Sequence, residues 1–247
     1  VPIAHVEAGM RSFDTSMPEE RNRVATDRLT SLFLCSTQTA ADNLRDEGLS
    51  GRIEVVGDVM ADVVQMVAPR VSGRVVPLDE LGLDAGGYLL VTAHRAGNVD
   101  TREGLERLLM VLESVAGPTV FPLHPRTAAR LDEHGLRERL DSIDDLRITQ
   151  PLGYVDFQSL LVNARALLTD SGGAQKEAYL HGVRCVTLRE TTEWTETVDA
   201  GWNFLAGLDP ARVRAGLERQ LPDERPALYG DGHAGERVAA SLRLGDG

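Results

Sequence analysis

Short apolar runs alternate with amphipathic stretches along the whole chain. The runs at 2–6, 31–36, 53–57, 87–93, 119–123, 146–149, 165–169, 184–188 and 203–206 are four to seven residues long and rich in Val, Leu and Ile. They lack the apolar/polar alternation of a half-exposed strand, so they predict strands buried on both faces. The stretches at 18–30, 38–48, 59–69, 102–115, 126–139, 155–163, 173–181, 194–200, 210–220 and 233–243 carry helical periodicity. Strand and helix in alternation predict parallel sheets covered by helices, an α/β fold. Residues 70–87 mix glycine, proline and charge and read as a domain boundary. Six strand–helix units follow it, enough for a complete doubly wound domain. About three strands precede it, too few to bury a parallel sheet alone. The opening "VPIAHVEAG" reads as a buried strand without a lead-in, so the expectation is a chain that begins inside a domain.

Composition narrows the function classes. The chain has 247 residues, 42% hydrophobic, with a formal net charge of −12. That balance argues against nonspecific binding to nucleic acid or to an anionic membrane. No apolar run is long enough to span a bilayer, and no signal peptide opens the sequence. Cys35 and Cys185 sit in apolar strand-like runs, which suits free thiols in a reducing cytoplasm. Lys176 is the only lysine. Every other basic residue is arginine, which reads as a compositional bias of the genome.

Candidate chemistry gathers where strands end. In "LLTDSGGAQKEA" a buried run passes through Ser171, Gly172 and Gly173 into a helix bearing Glu177. A helix N-terminus offers free N–H groups and partial positive charge, and glycines let a phosphate approach the backbone. One turn later, Glu177 could accept both hydroxyls of a ribose. A plain serine-capped turn is the competing reading. At "TAHRAGN", His94 and Arg95 leave another strand end, suited to a diphosphate or a leaving group, against a structural histidine bonded to backbone. "HVEAGMRSFDTSMPEERNR" is densest in polar groups. Glu7 ends a strand, Glu19 and Glu20 lie in the first turn after Pro18, and Arg23 follows Glu19 by four residues on one helix face. A capped helix start with an ion pair is the competing reading for the last three. His124 in "LHPRT" reads as structural. Tyr154 and Phe157 could flank a base, against a core role for Phe157. Arg189 follows a further strand end within reach of a diphosphate, and Glu193 and Glu196 read as helix caps. The remaining histidines, at 5, 134, 181 and 233, show no metal-ligand spacing, and no Walker, dinucleotide or nucleophile-elbow motif is present.

The ordered set "HVEAGMRS", "PEERNR", "VVGDVMAD", "TAHRAGN", "TDSGGAQKEA", "TTEW" and "YGDG" resembles the non-hydrolysing UDP-N-acetylglucosamine 2-epimerases across essentially the whole chain. The resemblance implies the B-type glycosyltransferase fold, two Rossmann-like domains facing each other across a nucleotide-sugar cleft. Residues 1–70 would be the last part of the first domain, incomplete here, 71–230 the UDP-binding domain, and 231–247 a helix returning to the first. It assigns the diphosphate to Ser171, Gly172 and Gly173, the ribose to Glu177 and uracil to Phe157, with Arg95 and Arg189 near the phosphates. It makes Glu7, Glu19, Arg23 and His94 catalytic, with no metal and no cofactor, and implies a cytoplasmic homodimer. Upstream residues of the family's active site fall before Val1, so the 247 residues alone are expected to bind UDP without epimerising. Gly97 stands where the family commonly has Glu. Trp194 and Thr195 replace a common Arg-Pro, as in branches acting on UDP-diacetamido uronic acids. "PLHPR" departs from the motif of members with a regulatory site, so no allostery is expected. A hydrolysing relative, a glycosyltransferase of the same fold and a UDP-binding fragment without activity remain the alternatives.

Overall fold

The computed structural model describes residues 1–71, 73–74 and 76–243. The chain divides into two compact units: unit 1 comprises 1–69, 191–196 and 226–247, and unit 2 comprises 70–190 and 197–225. Both are Rossmann-like α/β units with parallel sheets, the fold class that the resemblance implies.

Unit 1 starts with β1 (Ala4–Val6), α1 (Pro18–Leu29), β2 (Leu32–Cys35), α2 (Gln38–Asp46), β3 (Arg52–Val55) and α3 (Val59–Val71). Its three strands lie parallel in the order β1-β2-β3. β2 carries the core through Phe33, Leu34 and Cys35, all essentially inaccessible. The expectation that residues 2–6 form a buried strand fails: Ile3 and Val6 are exposed. The reason is position, since β1 pairs only with β2 in this sheet.

In unit 2 the elements are α4 (Val76–Glu80), β4 (Leu89–Thr92), α5 (Ala96–Val99), α6 (Arg102–Ser114), β5 (Thr119–Pro122), α7 (Pro125–Glu133), α8 (Arg137–Asp141), β6 (Leu146–Thr149), α9 (Tyr154–Val162), β7 (Ala166–Thr169), α10 (Gly172–His181), β8 (Arg184–Thr187), α11 (Thr195–Asp199, which begins in unit 1), β9 (Asn203–Leu205) and α12 (Pro210–Glu218). The sheet order is β6-β5-β4-β7-β8-β9, all parallel. This is the doubly wound order, with its switch between β4 and β7, where ligands of such sheets sit outside the carboxyl ends. All four residues of β7 are fully buried. The pleat sends Leu89, Val91, Phe121, Leu168 and Val186 to one face, against Leu105, Leu108 and Leu112 of α6. It sends Leu90, Val120, Leu167 and Cys185 to the other, against α9 and α10. Both cysteines are buried and free, as expected.

One local expectation is corrected. The helix read at 126–139 is two helices, because Gly135 takes φ +64° and lets the Leu136 N–H return to the Leu131 carbonyl at 2.9 Å, a helix stop that favours glycine. Unit 2 begins at Arg70, at the start of the segment 70–87 read as a boundary; that segment contains α4, and its Leu78 and Leu83 are buried in the core of unit 2. α13 (Ala234–Arg243) closes the described chain. Its first turn is held by the Asp62 carboxylate, which accepts from Ala234 and Gly235 N–H, while Ser241 Oγ donates to Glu54 in β3.

Leu168→Ala would empty a fully buried position in the central strand. Such truncations cost about 2–5 kcal/mol. Urea unfolding of unit 2 is expected to lose about 3 kcal/mol, near the middle of that range; a loss below about 1 kcal/mol would contradict the core assignment.

Candidate active site

At the carboxyl ends of β4 and β7, unit 2 opens a cavity of about 310 Å³. Five of the sequence-predicted residues line it: His94, Phe157, Ser171, Gly173 and Glu177. His124, Pro122, Pro151 and Leu152 complete much of its wall.

One carboxylate organises the rim. Asp170, fully buried, follows β7 directly and reaches across to the turn after β4. Its oxygens accept from His94 N–H at 3.0 and 3.1 Å, Arg95 N–H at 2.9 Å and Asn98 Nδ2 at 3.1 Å, and lie 3.6 Å from His94 Nδ1. The turn carrying His94 is therefore fastened to the residue that precedes Ser171. Sequence reasoning passed over Asp170, although its place before the Ser-Gly-Gly turn marks it as a strand-end carboxylate that must be paired.

α10 starts on Ser171, whose Oγ accepts from the Ala174 N–H at 3.4 Å. The serine is thus the N-cap that the plain-turn reading required. The two readings are compatible, because the N–H groups of Gly172 and Gly173 have no acceptor within the helix, as in any first turn. Gly172 itself is not on the cavity wall, and neither Arg95 nor Arg189 lines it. Arg189 is buried two residues beyond β8, with its carbonyl accepting from Gly207 N–H at 3.2 Å. Phe157 packs against the core, one of its two readings, and also lines the cavity. His124, read as structural, lines the cavity too. Its Nδ1 accepts from the Arg126 N–H at 3.1 Å, capping α7, and its ring stacks on His94 with centroids 5.0 Å apart. Burial and the neighbouring His94 and Arg126 charges hold His124 below the ordinary histidine value, with Asp170 opposing.

Glu177 is 5% exposed. Burial raises its carboxyl above the usual glutamate range, and hydrogen bonds with Tyr154 and Gln158 together with the Lys176 charge oppose the rise only in part. The Tyr154 hydroxyl is pushed up by its own burial and by the Glu177 charge. Lys176, which composition alone made unremarkable, is fully buried beside this glutamate.

Unit 1 holds the other candidates. Glu7 stands just beyond β1 and adopts φ +71°. Glu19 lies in the first turn of α1, as expected. Arg23 forms ion pairs at the helix start, as in the competing structural reading. Its guanidinium lies 3.3 Å from Glu20 and 3.7 Å from Glu193. The pairing with Glu20 is geometric, because that buried carboxylate is three residues away on the loop-facing side of α1. Glu193, read as a helix cap, thus also lies beside the "PEERNR" helix. Among the described residues, no group of three or more His, Cys, Asp or Glu could hold a metal ion, and no helix is long and apolar enough to cross a membrane.

Residues 1–243 match the family model described as UDP-N-acetylglucosamine 2-epimerase. The chain belongs to the UDP-N-acetylglucosamine 2-epimerase family. It is 41% identical over 246 residues to a UDP-N-acetylglucosamine 2-epimerase homolog of Methanococcus maripaludis, covering 98% of this chain and 69% of the relative. It is 40% identical to the UDP-2,3-diacetamido-2,3-dideoxy-D-glucuronate 2-epimerase of Pseudomonas aeruginosa, over 98% of this chain and 68% of that protein. The crystal structure of the Methanocaldococcus jannaschii UDP-GlcNAc 2-epimerase, in complex with UDP-GlcNAc and UDP, superposes with a TM-score of 0.89 at 38% identity, over 98% of this chain and 69% of that one. The chain is thus an enzyme of an epimerase family, and the ordered motifs identified that family from sequence.

The raised Glu177 carboxyl has a sign that can be measured. A folded-state pKa above the unfolded value means that the ionised form is disfavoured in the fold, so the group costs stability at high pH and the cost fades as pH falls through the raised value. Glu177→Gln is therefore expected to raise the thermal midpoint at pH 8, with the gain shrinking toward pH 4. Calorimetric melts across that range check it; a gain that grows on acidification would contradict the assignment.

Proposed function

We propose that this chain carries the UDP-binding unit and part of the acid–base machinery of a UDP-N-acetylglucosamine 2-epimerase interconverting UDP-GlcNAc and UDP-ManNAc. The observation that carries the reading is the convergence of His94, Phe157, Ser171, Gly173 and Glu177 on one cavity at the switch point of the sheet. In this reading the first-turn amides of α10 and the Ser171 hydroxyl receive the diphosphate. Glu177 accepts from the ribose hydroxyls, Phe157 lies against uracil, and Arg95 and Arg189 add positive charge near the phosphates. His94, fastened through its backbone by Asp170, protonates or hydrogen-bonds the departing diphosphate.

The chemistry explains why acids are needed as well. The C2 proton of the sugar has no carbonyl beside it. As the C1–O bond to UDP breaks, C1 gains oxocarbenium character and the C2 proton becomes acidic. A carboxylate removes that proton, leaving a 2-acetamidoglucal and UDP. Protonation of C2 on the opposite face, with UDP returning to C1, gives the epimer. Two groups on opposite faces of the ring serve these proton transfers, and Glu7 and Glu19 are assigned to them, with Arg23 stabilising the charge that develops. The overall reaction is an isomerisation and consumes no co-reactant.

A related substrate is the second reading. The 40% identical Pseudomonas relative bears the name of a diacetamido-glucuronate epimerase, and Trp194 stands where an Arg-Pro pair is common in the family. Trp194 is buried, its ring edge-on to Tyr229 with centroids 5.8 Å apart. A homodimer is part of the proposal, and so is the cytoplasm, whose reducing conditions suit the two buried free thiols.

In deuterium oxide, the intact enzyme is expected to convert UDP-GlcNAc to a mixture of epimers labelled at C2. Glu19→Gln is expected to lose both epimerisation and labelling while UDP affinity stays within about threefold, because an acid–base group acts on the transition state and not on uniform binding. Mass spectrometry and calorimetry read the two outcomes. Free sugar plus UDP as the main product would replace the epimerase reading with a hydrolase. Normal labelling in Glu19→Gln would remove Glu19 from the acid–base pair.

A further inference from the structure

The loop from Glu7 to Phe13 contains two of the three non-glycine residues with left-handed backbone among the described residues, Glu7 at φ +71° and Phe13 at φ +58°. Non-glycine side chains are disfavoured there, and such conformations persist only where the surroundings over-determine them. The surroundings here are two buried carboxylates of one helix. Asp27 of α1 is fully inaccessible. Its Oδ1 is 2.6 Å from His5 Nδ1, and its Oδ2 accepts from Gly9 N–H at 3.2 Å and from the Arg11 guanidinium at 2.7 Å. Arg11, also buried, donates to the Met10 carbonyl and makes a two-bonded pair with Glu47 at 2.6 and 2.8 Å. Seven residues earlier on the same helix, Glu20 accepts from Ser12 N–H, Ser12 Oγ and Phe13 N–H at 2.9–3.0 Å. Two helical turns put both carboxylates on one face, so α1 grips the loop near each end.

The contacts around Asp27 bracket Glu7. His5 precedes it by two residues, and Gly9 follows it by two. Gly9 cannot carry a side chain, since a Cβ there would fall 2.1 Å from the Ala40 carbonyl oxygen, and the Gly9 carbonyl accepts from Asn43 Nδ2. The Glu7 and Ala8 N–H groups both reach the Leu34 carbonyl of β2, at 2.9 and 3.3 Å. The backbone on either side of Glu7 is therefore fixed, and its left-handed turn is fixed with it. A buried ionic cluster of this kind is a weak source of stability, because desolvation offsets most of the attraction. It is a strong source of geometry.

We infer that Asp27 is a positioning residue for Glu7, holding its backbone in the left-handed conformation that aims the carboxylate for proton transfer. The inference rests on the assignment of Glu7 to the acid–base pair. Asp27 does not touch the sugar and acts only through the loop.

A double-mutant cycle in the intact enzyme tests this with Asp27→Asn, Glu7→Gln and the pair. Asp27→Asn is expected to lower kcat on the order of 10²-fold, the usual effect of a small misplacement, with KM and UDP affinity held within about threefold. On the Glu7→Gln background, Asp27→Asn is expected to cost nothing further, because the group it positions is gone. Should Asp27→Asn fail to fold, His5→Gln removes one arm of the cluster from a half-buried site and enters the same cycle, with an expected loss of about tenfold in kcat. An unchanged kcat, or an equal loss on both backgrounds, overturns the positioning role. A wild-type rate in Glu7→Gln overturns the assignment of Glu7 itself, and the inference falls with it.

Discussion

The Asp170 carboxylate is the contact on which the candidate site of unit 2 depends. Parallel strands end with their carbonyls and side chains facing solvent, and nothing in the ladder itself fixes the turns that follow. Asp170 supplies that fixing, accepting from three donors of the neighbouring strand end and placing an oxygen 3.6 Å from the His94 ring. The next residue is Ser171, the N-cap of α10. One carboxylate thus sets the histidine and the helix N-terminus in a common frame. The fully buried β7 makes this possible, because a strand packed on both faces cannot shift its register without exposing apolar side chains. The cost of a buried carboxylate is offset by charge-assisted bonds to backbone and amide N–H.

Unit 1 repeats the device with different elements. Asp27 and Glu20 stand on a helix and hold a loop, where Asp170 stands on a strand end and holds a turn. In each case the carboxylate that does the holding lies near a residue assigned to chemistry: Glu20 beside Glu19, Asp27 facing the loop of Glu7, Asp170 beside Ser171. Asp27 shows how strongly such groups are paired. Burial alone would raise its carboxyl, but hydrogen bonds from His5 and Arg11 and the Arg11 charge more than reverse this and leave it lowered. Glu177 shows the opposite balance, since burial prevails there. A paired carboxylate positions others; Glu177 lines the cavity itself.

Much of this was legible in the sequence. Among the described residues, the nine strands fall on the runs read as strands, and the order of motifs at their ends identified the family. What stayed hidden depends on tertiary direction. Glu19 and Glu20 are adjacent in sequence, and only the placement of the 8–13 loop shows that Arg23 pairs with the second. His124 read as a helix cap, which it is, but periodicity gives no sign that its ring also stacks on His94. The stop at Gly135 was hidden because the residues on both sides keep apolar helical spacing. The grouping of residues 191–196 with unit 1 joins segments far apart in sequence, which no local pattern reports.

The most direct measurement is a backbone amide NMR titration of this chain with UDP. Saturating UDP is expected to move the Gly172 and Gly173 amides most, together with those of the His94–Arg95 turn that Asp170 ties to them. Amides at 171–174 that stay unmoved while others shift would contradict the placement of the diphosphate at the α10 N-terminus.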